Sequence, residues 1–205
     1  IGGLGTSINP DQFDYSLGAT LTQPGIFSPD TDLTWKAYGI RQYNETFSEL
    51  GAGASATITH FLSDKTTLGV GAFTEFGEFE DIFGTRHFTT SGLHGSVLYD
   101  GRDSSVEPTR GLYAALDVKP FYEFQLSQPA VRAEVEMRAY VAVNEKARTV
   151  LAGRVKTGSI VGPGISQSPP SFLFNAGGGS SVRGYEFEGI GVINDRGQES
   201  GGKSL

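Results

Sequence analysis

Cysteine is absent from the 205-residue chain, which excludes both a disulfide framework and a thiolate metal site. No apolar run approaches the roughly 18 residues that a membrane-spanning helix needs. That absence removes helical membrane proteins only, because a membrane-spanning strand alternates lipid-facing and lumen-facing residues and escapes any averaging scale. A basic stripe is also missing: the 16 lysines and arginines are dispersed and the formal net charge is -7, which argues against nucleic acid as a partner. No targeting segment opens the chain at Ile1, as expected of a mature or truncated chain. Glycine, by contrast, accounts for 29 residues, about twice its usual share, and suits tight turns and close contacts between strands.

Residues 12 to 22 place Phe13, Tyr15, Leu17, Ala19 and Leu21 on one face and Asp14, Ser16, Gly18, Thr20 and Thr22 on the other. This is a period of two without exception. The pattern is clearest over 131 to 143, where Val131, Ala133, Val135, Met137, Ala139, Val141 and Val143 alternate with Arg132, Glu134, Glu136, Arg138, Tyr140 and Ala142. One face suits lipid and the other carries four charges. Further strands are predicted at 32 to 43, 51 to 62, 67 to 77, 91 to 100, 111 to 124 and 147 to 157, which makes eight. No stretch has a 3.6-residue stripe, so helix is expected to be minor.

The predicted connections alternate. Compact turns at 63 to 66 and 144 to 146, with the proline-containing connections at 23 to 31 and 101 to 110, fall on one side. Longer loops at 44 to 50, 77 to 91 and 158 to 204 fall on the other. An antiparallel up-and-down barrel with short turns at one rim and long loops at the other has this layout. A strand of about 10 residues at ~3.3 Å each, tilted by about 40°, covers about 25 Å, the height of the apolar band of an outer-membrane barrel. A soluble β-sandwich with its apolar faces packed inward satisfies the same alternation, and stays open at this point.

The segment 158 to 204 is the longest without periodicity, and such a loop is functional or disordered. Phe172, Phe174, Val182, Tyr185, Phe187 and Ile190 are too apolar for a solvated linker, so it is expected to fold back onto a surface. Within it Val182, Arg183, Gly184 and Tyr185 follow three glycines and two serines, an arrangement that carries a guanidinium into a confined site to meet carboxylates. The glycines make no phosphate loop, for no Gly-Lys-Ser/Thr follows. Asp100, Asp103 and Glu107 around Arg102 lack the twelve-residue calcium spacing and read as a turn cross-linked by carboxylate and arginine. Pro108, Thr109, Arg110 and Gly111 lead from that turn into the next strand.

His60, His87 and His94 show no zinc spacing and read as rim or lumen residues. No nucleophile elbow exists. Glu134 and Glu136, flanked by Arg132 and Arg138, read as a lumenal network of ion pairs in preference to a catalytic pair. Neither catalytic residue, cofactor site nor metal site is predicted. Tyr15, Trp35, Tyr38, Tyr43 and Tyr99 are expected near the lipid interfaces, which favour amphipathic rings.

Two stretches, Tyr99-Asp100-Gly101-Arg102-Asp103 running to Pro108-Thr109-Arg110-Gly111, and Gly177-Gly178-Gly179-Ser180-Ser181-Val182-Arg183-Gly184-Tyr185, resemble the bacterial surface antigen barrel family, which includes BamA and TamA. Thr22-Gln23-Pro24-Gly25-Ile26-Phe27 with Pro29-Asp30-Thr31 is closest to the TamA branch. Gly201-Gly202-Lys203-Ser204-Leu205 looks like the entry to the strand after the family's sixth surface loop.

The resemblance implies an all-β fold, an antiparallel meander that forms part of a transmembrane barrel of about 16 strands, about eight of them here. Residues 1–205 would be one partial barrel domain, with the family's POTRA domains and terminal strands outside it. The implied location is the bacterial outer membrane. The implied role is non-enzymatic: inserting or secreting client outer-membrane or secreted proteins such as autotransporters, with outer-membrane lipid, the clients and a periplasmic or inner-membrane assembly partner as contacts. A two-partner-secretion transporter or a passive pore on the same barrel is the alternative. Val182, Arg183, Gly184 and Tyr185 would be the tip of a loop inserted into the lumen. The family places the acidic partner of Arg183 downstream of Leu205, with Glu134 and Glu136 as substitutes within this chain. Counting back from the sixth loop makes 12 to 22 the fourth strand, followed by a periplasmic connection.

Overall fold

A computed structural model describes residues 13–43, 46–144, 149–177, 184, 190–193 and 199–205. Eight strands, β1 (Tyr15–Gln23), β2 (Thr31–Tyr43), β3 (Phe47–Ser63), β4 (Thr66–Asp81), β5 (Gly84–Asp100), β6 (Gly111–Glu123), β7 (Gln128–Ala142) and β8 (Val150–Val161), form one antiparallel sheet. Sheet order is chain order, so among the described residues β1 and β8 are the ends of the sheet and do not pair with each other. Two single 3-10 turns (Ile165–Gln167 and Pro170–Phe172) and a small ladder of β9 (Val192–Ile193) with β10 (Glu199–Ser200) follow.

Strict alternation sorts the side chains by face. Leu17, Leu21, Trp35, Val70, Leu93, Val141 and Val155 point outward and are at least half exposed, an apolar surface far beyond what water tolerates. No second sheet covers this face among the described residues, so the soluble sandwich falls away. The opposite, inner face carries Arg132, Glu134, Glu136 and Arg138, and the chain after β8 folds across it. Buried apolar residues lie on this inner side in two groups. Phe121, Ala130 and Ile160 of the wall meet Phe172, Leu173 and Phe174 of the returning chain; Phe47, Phe79 and Phe88 form the other group.

The expected contrast in loop length is corrected. The segments 44 to 50 and 77 to 91, predicted as long loops, are mostly strand: β3 begins at Phe47, and β4 and β5 meet at Ile82 and Phe83. Outward Glu78 and Glu80 end the apolar pattern at Phe76 and imitate a loop. Inner Phe79, 4% exposed, continues the alternation and packs on Phe47 and Phe88 at ring distances of 6.0 and 5.7 Å. Beyond Phe76, β4 therefore runs on for five residues, about 16 Å. The rim carrying the connections after β2, β4 and β6 is marked by tall strands, and the opposite rim by the ten-residue connection 101–110. The strand expected at 147 to 157 runs instead from Val150 to Val161. Tyr38 is corrected as well: it faces inward, its hydroxyl donating to Glu75 at 2.9 Å.

Candidate functional site

Register sets the inner polar wall. Pairing places Tyr113, Arg138 and Arg154 in one row across β6, β7 and β8, and Ala115, Glu136 and Lys156 in the next. Asp117, Glu134 and Gly158 follow, then Lys119, Arg132 and Ile160. Each glutamate is thereby held between two cations. Glu134 meets Arg132 and Lys156, both at 3.0 Å. Glu136 accepts from Arg138 at 2.7 Å and from Arg154 at 2.6 Å. The pairs differ in worth: with Arg154 38% and Lys156 36% exposed, their contacts are screened to about 0–1 kcal/mol.

Arg132 joins this network to the returning chain. Its Nε donates to the Phe172 carbonyl at 3.0 Å, and its guanidinium lies 4.3 Å from the Phe174 ring centre. Phe172 stands edge-on to Phe121 at 4.8 Å. Phe174 crosses Gly158, where an added Cβ would sit 2.5 Å from its ring. The end of the chain then pairs with β8: Ile160 N–H donates to the Lys203 carbonyl at 2.8 Å and Leu205 N–H to the Gly158 carbonyl at 3.0 Å. At the tall rim Arg86 binds both Asp81 and the Ser166 carbonyl, which fixes the first 3-10 turn.

The connection 101–110 is organised by its own side chains. Arg102 grips Asp100 through Nε at 2.8 Å and Nη2 at 2.7 Å, and its guanidinium lies 5.0 Å from the Tyr113 ring centre. Asp103 accepts from the Thr109 hydroxyl at 2.5 Å, the Thr109 N–H at 2.9 Å and the Arg110 N–H at 3.1 Å. These bonds, the Thr109 hydroxyl first, hold the Asp103 carboxyl down at about 2. The Asp100 carboxylate raises the Arg102 guanidinium further above its ordinary range. Pro108 lies within this knot, next to Thr109, and Gly111 closes it at φ +113, with the Gly101 carbonyl 2.3 Å from where a Cβ would stand. Tyr113 is shared: Arg138 also lies 5.0 Å from its ring centre, so the turn and the ion-pair wall touch.

Val182, Arg183 and Tyr185 lie outside the described residues, and Gly184 is described only as a residue at φ +99. Glu134 and Glu136, offered above as partners for Arg183, are each already engaged by two cations. Phe172 and Phe174, expected to fold back onto a surface, complete the site on the inner wall, together with Arg154 and Lys156, which escaped the sequence reading. The two cations share the parity of Arg138 and Glu136 once β7 and β8 are paired, a signal available from the 144 to 146 turn. His94 meets Asp117 at 2.5 Å, His60 meets Thr31 at 2.8 Å, and His87 lies 3.6 Å from Glu78. No group of three or more His, Cys, Asp or Glu side chains among the described residues is arranged to hold a metal ion. The arrangement does mechanical work: it clamps a returning segment across the inner wall by charge, ring packing and backbone pairing.

Comparison with known proteins follows the same lines. A model of the Omp85 superfamily domain matches residues 3–205. No curated protein matches the sequence. The crystal structure of BamA from Haemophilus ducreyi lacking POTRA domains 1–3 superposes with a TM-score of 0.79 at 16% identity, over 93% of this chain and 43% of that one. The likeness is one of fold, and the chain spans less than half the length of that structure.

Proposed function

We propose, from the premise that this chain belongs to the Omp85 superfamily, that its eight strands are a contiguous wall of a bacterial outer-membrane barrel that inserts or translocates other outer-membrane proteins. The observation that carries the reading is the division of one open sheet into an uncovered apolar face and a charged inner face crossed by a clamped segment. Lipid meets the first face, and the lumen lies against the second. A spanning chain must satisfy every backbone hydrogen bond within the membrane, so strand edges are what such a protein offers a client. Autotransporters are the proposed clients, on the likeness of residues 22–31 to the TamA branch. A periplasmic partner would engage the rim that bears the 101–110 connection. Members of this kind act without catalysis. The clamped segment lies across the inner wall and speaks against a passive pore.

Proteoliposomes holding the full-length protein test this. Faster insertion of an unfolded autotransporter barrel than into empty liposomes is the expected result. Ion conductance with no gain in insertion rate would replace the proposal with a pore.

A further inference from the structure

Above the ion-pair wall, four strands bring a second polar group together on the inner face. Tyr38 on β2 pairs with Gly53 on β3, Gly53 with Glu75 on β4, and Glu75 with Thr90 on β5, all in one cross-strand row. The Tyr38 ring lies over Gly53, whose missing Cβ would stand 2.8 Å from it, and so reaches Glu75 two strands away. Glu49, on the same face of β3, lines the same pocket, and Pro169 and Ser171 of the returning chain complete it. About 10 Å³ of free space remains, room for a single water or monatomic ion.

Two observations ask for a ligand. Glu49 and Glu75 have no ion-pair partner among the described residues; Glu49 accepts from the Gln42 amide at 3.2 Å and Glu75 from the Tyr38 hydroxyl at 2.9 Å, neutral donors that leave both negative charges unbalanced. Independently, Thr90 is only 2% exposed, lines the pocket opposite Glu75, and its hydroxyl makes no hydrogen bond among the described residues. A buried hydroxyl without a partner is rare enough to need an explanation.

We propose that this pocket is a cation site, taking one divalent ion of the calcium kind between Glu49 and Glu75, with the Thr90 hydroxyl oxygen as a further ligand. Two carboxylates balance two positive charges. An oxygen-only donor set selects a hard ion over zinc or copper. The space admits an ion stripped of most of its water, which calcium tolerates and magnesium resists. With two carboxylates the affinity belongs in the weak range, on the order of 10⁻⁴ to 10⁻³ M. The site stands apart from the assembly reading and survives its failure.

Terbium(III) binding to the full-length protein in detergent, read as luminescence excited through tyrosine, tests it. Saturable luminescence that calcium chloride displaces is expected, weakened about tenfold or more by Glu49→Gln or Glu75→Gln. Thr90→Val, which exchanges the hydroxyl for a methyl of similar size, weakens it several-fold while the folded band persists on unheated gels. Absence of saturable luminescence would overturn the proposal, as a shared proton or a water would give. So would a signal that Thr90→Val and both glutamine variants leave unchanged.

Discussion

The connection 101–110 and the returning chain from residue 162 onward leave the sheet at opposite rims and are held in opposite ways. The first is tied by neighbours in sequence: Arg102 to Asp100, and Asp103 to Thr109 and Arg110. The second is tied by the wall: Phe172 to Phe121, Arg132 to the Phe172 carbonyl, and the backbone of Lys203 and Leu205 to β8. Local ties make a connection independent of the rest of the sheet. Distant ties make it a reporter of the wall it rests on.

The contrast breaks most sharply at Phe172, which is 7% exposed. Phe172→Ala is expected to weaken docking of the returning chain by about 3–5 kcal/mol. Limited proteolysis in detergent then cuts that segment quickly and leaves 101–110 untouched. Gly158→Val follows, since its Cβ meets the Phe174 ring; overpacking of this kind costs about 1–3 kcal/mol, visible as faster hydrogen exchange at Phe174 and Gly202. Arg132→Met removes the bond to Phe172 and its cation–π contact while keeping the apolar stem. A loss of about 1.5 kcal/mol is expected, and equal protease sensitivity to the parent would refute the role given to Arg132.

The smallest effect sharpens the other side. The folded carboxyl of Asp103 titrates at about 2, below the ordinary value of roughly 3.9. Its contribution is therefore complete above about pH 4 and lost as pH falls toward 2. Asp103→Asn should loosen 101–110 at neutral pH and abolish this acid-dependent loosening, seen by hydrogen exchange, with no change at Phe172.

What could be read in advance divides along the same line. β7 was legible because Val131 to Val143 alternate without a break, four of their intervening residues being charged. The turn at Asp103 was legible because its ties span few residues. The length of β4 was not, since outward Glu78 and Glu80 are polar for a reason unrelated to turning: they stand beyond the apolar belt. Tyr38 looked like an interface ring because its partner, Glu75, lies two strands away. Phe172 and Phe174 were recognisably too apolar for a linker, yet Arg132, Gly158 and Phe121, against which they rest, come from β6, β7 and β8 and share no spacing.

The pairing of Lys203 and Leu205 with β8 also orders events in time. Neighbouring strands at the tall rim are joined by two to four residues and can zip as fast as hairpins form. The contact between Ser159 and Ser204 closes about 45 residues, which costs roughly 2 kcal/mol more in chain entropy than closing four. Propagation of the sheet is thus expected to pause at β8 until Phe172 and Phe174 have settled on the wall, so the clamp acts as a checkpoint on the growth of the barrel.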